Sequence, residues 1–229
     1  MNLMKKNALL IIGLLAISMV SFSQAVKDRQ VIPVAVNLNQ VLRMNIINGG
    51  NIEFVFNSIN DYENGLSGAA GNPGDNFYVT DFTVASSTRW ELTYGSEQAT
   101  FIGTDDPTNL LALDNVGYTL AATGNYTFDA SQGADNTLQL WSEPTLGGTV
   151  ITGLIVYPQI LITDNGTDAA NAGSGADNAF QMVWRCGTSE DDATATPPME
   201  DVNLLNQNPS PYPDRYVTNV IFELAAILP

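Results

Sequence analysis

The chain contains no histidine and a single cysteine, Cys186. Without an imidazole there is no Ser-His-Asp or Cys-His catalytic arrangement, because the general base is missing. The usual imidazole ligands of zinc and copper are missing with it. One cysteine cannot form an intrachain disulfide or a thiolate metal cluster. Cys186 is therefore either a small buried hydrophobe or a thiol that pairs between chains. Basic residues are scarce as well: 8 Lys and Arg stand against 24 Asp and Glu. No glycine-rich loop followed by Lys and no dinucleotide fingerprint after a strand occurs. Such an acidic chain repels nucleic acid and anionic membrane, since both need Lys and Arg to neutralise phosphate.

The N-terminus has the three-part layout of a secretory signal peptide. Lys5 and Lys6 precede the apolar run Ala8–Val20, ALLIIGLLAISMV, and a small, polar segment follows through Ala25. The run is shorter than the roughly 20 residues a bilayer span requires. Residues 1–25 are thus expected to be removed on export, leaving 26–229 as one domain. That mature chain keeps 6 basic and all 24 acidic residues, a net charge of −18, with Lys27 as its only lysine. No other apolar stretch is long enough to span, and the expected location is the outside of a bacterial cell, at its surface or free in the medium.

Long helical periodicity is also absent. Short alternating runs bounded by Gly, Asn, Asp, Ser or Pro take its place, and these read as strands. In Val41–Phe56, VLRMNIINGGNIEFVF, the residues Leu42, Met44 and Ile46 alternate, then Ile52, Phe54 and Phe56. Asn48-Gly49 between them predicts a tight β-hairpin. Further strands are expected over Phe77–Ala85, Trp90–Tyr94, Leu110–Leu113, Tyr118–Ala121, Asn125–Asp129, Thr137–Trp141 and Ala179–Cys186. Val150–Thr163 contains Pro158 and reads as two strands or a bent one. Arg215–Leu228 places Tyr216, Val220, Phe222 and Leu224 on one face, and is expected to pair inside a sheet. Long loops rich in Gly, Asn and Asp join these runs. The pattern predicts an all-β fold, a β-sandwich with immunoglobulin-like or jelly-roll connections.

Two copies of Gly-Ala-Asp-Asn precede strand text, GADNTLQLW at Gly133–Trp141 and GADNAFQMVW at Gly175–Trp184. They read as turn punctuation, because Asp and Asn bond their own backbone in turns. A duplicated ligand site and an internal duplication are the other readings. Oxygen ligands for calcium are offered by Asp105 and Asp106, by Asp164 and Asp168, and by Glu190-Asp191-Asp192, without the spacing of a recognisable calcium loop. Trp90, Trp141 and Trp184 are candidates to stack on sugar rings, with the core as the competing place for each.

Trp90-Glu91-Leu92, with alternation running on to Tyr94, resembles the first Trp-x-Leu motif of WxL-type cell-surface domains. The order of signal peptide, early hairpin, Trp-x-Leu strand and terminal alternating strand is similar to that of pilin-like secreted β-sandwich proteins. The resemblance implies an extracellular, non-catalytic surface protein attached to a cell wall. At the position of a second motif stands Trp184-Arg185-Cys186, without the Leu.

The reading is a secreted structural or adhesive subunit that forms a fibre or layer with copies of itself. Val31, Ile32, Val34 and Val36 would supply a strand to a neighbour's open edge; the alternative is that this strand, demoted to an edge by Pro33, completes its own sheet. A carbohydrate-binding module for surface glycans is the competing function. A glycoside hydrolase using paired carboxylates is third. No cofactor is expected beyond the calcium named above.

Overall fold

A computed structural model describes residues 30, 32–68, 77–126, 151–163, 171–189 and 198–227. The chain divides into two compact units, Met1–Leu38 and Asn39–Pro229. In the first unit, residues 32–38 form no strand, against the expectation for Val31–Leu38; Val31 itself lies outside the described residues. A strand is defined by its ladder partner, and apolar alternation cannot supply one.

The second unit is all-β and antiparallel. Its strands are β1 (Leu42–Asn48), β2 (Leu66–Ser67), β3 (Val79–Ser86), β4 (Trp90–Ser96), β5 (Thr100–Gly103), β6 (Leu110–Ala112), β7 (Val116–Ala122), β8 (Thr152–Gly153), β9 (Gln159–Ile162), β10 (Ala179–Cys186), β11 (Tyr216–Val217) and β12 (Val220–Ala226). One short helix, α1 (Ile59–Asn64), is held by a capping box in which Ser58 and Asp61 bond each other's backbone. Among the described residues no helix is long and apolar enough to cross a membrane.

The largest sheet has the order β1-β3-β10-β7-β8, with β2 pairing the far end of β10. The other two sheets are β12-β4-β9 and β11-β5-β6. Since β4 pairs with β12 and β5 with β11, the same two stretches of chain run antiparallel through both small sheets. The alternation reads directly into burial. Phe82 and Val84 on β3, and Trp90, Leu92 and Tyr94 on β4, are all at 0 % exposure. Aromatic rings join the large sheet to β12-β4-β9. Phe82 stacks on Phe180 at 5.2 Å within the large sheet and meets Phe222 of β12 at 6.0 Å. Trp90 meets Phe180 edge-on at 6.1 Å. Each buried Phe contributes about 1.5–3 kcal/mol by leaving water. This is a β-sandwich core.

Two strand expectations differ in pairing, while the expected division of Val150–Thr163 into two strands is observed. Residues 41–56 do not form a hairpin: β1 pairs with β3, Leu42 opposite Ser86 and Ile46 opposite Phe82. Gly49 does adopt a positive φ of 67°, but the chain leaves the sheet there, passing so close to the β3 backbone at Val79 and Thr80 that a Cβ at this position would collide with it. Residues 52–56 continue outside any strand, with Ile52, Phe54 and Phe56 against the core and Glu53 and Val55 exposed. The Val150–Thr163 run splits at Pro158 into β8 and β9, which join different sheets. The terminal strand β12 is an edge, with β4 as its ladder partner. Asn125 and Tyr126 lie outside strands; residues 127–129 and Thr137–Trp141 fall outside the described residues.

A buried asparagine holds β4 in place. The Asn171 side chain, at 0 % exposure, donates to the Trp90 carbonyl at 2.6 Å and accepts the Trp90 amide at 3.1 Å. The Trp90 indole donates to the Asn171 carbonyl at 2.6 Å, and the Asn178 amide donates to that same oxygen at 2.9 Å. Replacing Asn171 with Ala strands two backbone groups of Trp90 in the core. The expected loss is about 2–4 kcal/mol, read as a lower urea midpoint with an unchanged slope.

Candidate functional site

The first feature belongs to the N-terminal unit. Ile32, Val34, Val36 and Leu38 are 83 %, 83 %, 75 % and 92 % exposed. Their spacing of two places all four on one face of an extended chain, with Pro33, Ala35 and Asn37 on the other. No charged residue occurs from Gln30 to Leu42. In a chain this acidic, a neutral segment with one apolar face can be covered without desolvating a charge.

The second feature is a groove of about 660 Å³ in the larger unit. It is lined by Gly49–Phe56 and by Pro211–Val220 with Phe222, and reaches down to Val116, Leu154, Trp184 and Cys186. β11 and β12 stand at the ends of their sheets, so alternate residues of this edge turn backbone N–H and C=O groups away from the ladder. The two lining stretches are joined by an ion pair, Arg215 Nε to Glu53 Oε1 at 3.1 Å. Both side chains are more than half exposed, and such a pair contributes little. The sequence signal for this groove was the alternation of Ile52, Phe54 and Phe56; the identity of its other wall was not in the text of the chain.

Trp90 and Trp184 do not form a sugar platform. Trp90 and Trp184 are buried, at 0 % and 4 % exposure, and neither ring presents a face to solvent. The Trp184 indole donates to Thr80 Oγ1 at 2.9 Å, and that hydroxyl donates to the Gly49 carbonyl at 2.8 Å. Burying the large ring and satisfying its one N–H outweighs display. Trp141 lies outside the described residues.

The Asp106 carboxylate serves loop geometry, and Asp105 enters the same loop through its backbone amide. Asp106 Oδ1 accepts from the amide and hydroxyl of Thr108 at 2.9 and 2.7 Å. The Asp105 and Asp106 amides donate to Asp214 at 3.0 and 3.1 Å. Asp214 also accepts from Asn109 Nδ2 and from the Arg215 amide. Sequence reading missed this residue, which carries only the generic turn signal of Pro213-Asp214. Among the described residues no group of three His, Cys, Asp or Glu side chains is placed to hold a metal ion. Asp164, Asp168 and Glu190–Asp192 lie outside the described residues.

Of the two Gly-Ala-Asp-Asn copies, the first lies outside the described residues. The second is a turn that delivers the chain into β10. Asp177 accepts from Ser174 and from Asn125 Nδ2, while Asn178 bonds inward to Asn171. Both side chains are occupied by the fold, which is the punctuation reading. Cys186 is free and buried, so it is placed as a core hydrophobe and not where a second chain's thiol could meet it.

Titration of these groups has definite signs. Burial pushes the Cys186 thiol up to about 12, and Tyr118 and Tyr94, buried hydroxyl to hydroxyl at 2.6 Å, also rise. Unfolding releases these protons at the ordinary values, so stability is complete below pH about 9 and falls as pH rises toward 12. The slope is about 1.4 kcal/mol per pH unit per group. Urea unfolding from pH 7 to 11 under reducing conditions should show a decline that begins near pH 9, and Cys186→Ala should flatten its onset. At the acid end, backbone donors led by the Asp105 amide hold the Asp214 carboxylate down to about 2. Its contribution is present above pH about 4 and is lost as pH falls through 2. In Asp214→Asn, hydrogen exchange at the Asp105 and Asp106 amides should accelerate while β10 amides keep their rates.

No protein-family model and no curated protein sequence matches this chain, and the functional reading rests on its own residues.

Proposed function

We propose that this chain is an exported, non-catalytic structural or adhesive protein of a bacterial surface, and that its copies assemble into a fibre or layer by strand addition. One observation carries the reading: the apolar face of Ile32, Val34, Val36 and Leu38 is 75–92 % exposed and belongs to no strand. Four large apolar side chains at strand spacing would gain free energy by leaving water together. An extended segment gains both ladder hydrogen bonds and apolar burial when it joins an open sheet edge.

Composition supports the same reading. The missing histidine removes the common nucleophilic and metal chemistries. The high negative charge keeps the body of the protein soluble and limits random association, leaving neutral segments as the means of contact. Residues 1–25 supply the route out of the cell. Glycan recognition gains no stacking surface from Trp90 or Trp184.

The test is electron microscopy and light scattering of the chain from Val26 onward, across a range of concentrations. Filaments or ordered oligomers are expected. The double variant Val34→Asp/Val36→Asp is expected to stay monomeric with the urea midpoint of the parent, because both side chains are exposed. A parent that remains monomeric throughout, or a double variant that assembles as well as the parent, removes the reading.

A further inference from the structure

The molecule offers an exposed apolar segment and a groove beside an open sheet edge. One is the donor segment Ile32–Leu38, seven residues long, or roughly 23 Å at about 3.3 Å per residue. The other is the groove whose one wall is Pro211–Val220 with Phe222, a stretch that includes β11 and the start of β12. We propose that this groove is the acceptor site for residues 32–38 of a second copy, which adds as a new strand against the β11–β12 edge. The proposal rests on the assembly reading above and specifies where the incoming strand goes.

Four observations favour this edge. β12 already carries an inward apolar face, with Val220, Phe222 and Leu224 against the core, so a strand beside it would continue that layer and turn alternate side chains the same way. The groove reaches from solvent to the buried ring of Trp184. An incoming apolar side chain would therefore reach the core residues Val116, Leu154 and Trp184, in a groove that Glu53, Asp214 and Arg215 also line. Residues 52–56 pack Ile52, Phe54 and Phe56 on the core and form the groove's other wall, yet they join no ladder, so they leave the β11–β12 edge without a strand partner on that side. The Arg215–Glu53 pair that ties the two lining stretches is exposed and opens at small cost.

The donor's composition fits the same place. Pro33 lacks an amide, which is tolerated where that side of the strand faces out. A strand added at an edge has such a side. The absence of charge from Gln30 to Leu42 means that burial beside Phe222 strands no ionised group. The exposed edge of β1 is the rival acceptor: Ile46 lines the groove, and Ile47, 63 % exposed, lies outside it and reports on that edge.

Cysteine cross-linking between copies tests the placement. Neighbouring strands bring Cα atoms to about 4.5–5.5 Å, inside the range of roughly 4.4–6.8 Å that a disulfide needs. Val36→Cys is made in one preparation of the chain from Val26 onward. Val217→Cys, Ile47→Cys and Leu110→Cys are made separately in others. All four positions are exposed, so folding is expected to be retained, and urea midpoints check it. All preparations also carry Cys186→Ala, because the groove reaches down to Cys186. Pairs are mixed, oxidised mildly and run on a non-reducing gel. The expected result is an intermolecular band for Val36→Cys with Val217→Cys that is absent with Ile47→Cys and with Leu110→Cys. Assembly seen by light scattering with the band at Ile47→Cys or Leu110→Cys, or with no band at Val217→Cys, overturns the groove while leaving strand donation standing. No assembly in any mixture, the unsubstituted chain included, brings down the assembly reading itself.

Discussion

The contact between the large sheet and the β12-β4-β9 sheet is what every other part of this structure leans on. It is made by rings: Phe82 and Phe180 from one side, Trp90, Tyr94 and Phe222 from the other. No disulfide shares the work, because Cys186 has no partner in the chain, and the acidic surface opposes compaction. Apolar burial therefore has to carry stability, and the strands that face each other are the ones whose alternation is cleanest. Two polar devices sit inside this contact without weakening it. The Tyr118 hydroxyl donates to that of Tyr94, and Asn171 satisfies both backbone groups of Trp90. A buried polar group is tolerable only when it is paired, and here the pairing also fixes which residues meet.

A sandwich closed by its core still has edges. In this one the edge made by β11 and β12 runs beside a groove that reaches the core. The N-terminal unit carries the complementary feature, a neutral segment with one apolar face. Charge and apolar burial divide the labour between them. In the proposed assembly the acidic surface would keep copies apart wherever it faces another copy of itself, and attraction would be confined to the short stretch that bears no charge. Such a division would make association specific to one edge without any dedicated charged interface.

The loops that first drew attention turned out to be structural where they are described. Asp106, Asp177 and Asp214 spend their carboxylates on amides and hydroxyls of their own turns. The described parts of the Gly, Asn and Asp-rich text are thus turn chemistry at these three positions. A composition rich in acids resembles a cation site from sequence alone, because the same oxygen atoms serve both purposes. Only their neighbours in space separate the two.

What the amino-acid sequence by itself determined is local: the all-β class, the strands β3, β4 and β10 nearly to the residue, and which side chains of each run face inward. Side-chain alternation has a period of two and is written within a few residues, so Phe82, Leu92 and Met182 could be read as core without knowing any partner. The inward set of Ile52, Phe54 and Phe56 was legible in the same way, although the hairpin they suggested is absent. Pairing was decided by tertiary structure. β1 joins β3 and not the segment beyond Gly49, β8 and β9 part into different sheets, and β12 ends its sheet as an edge. A ladder partner is chosen by competition among distant strands for one shared core, and nothing within a strand's own residues records the outcome. The groove and the Asn171 clasp follow from those choices, which is why neither could be seen in the sequence.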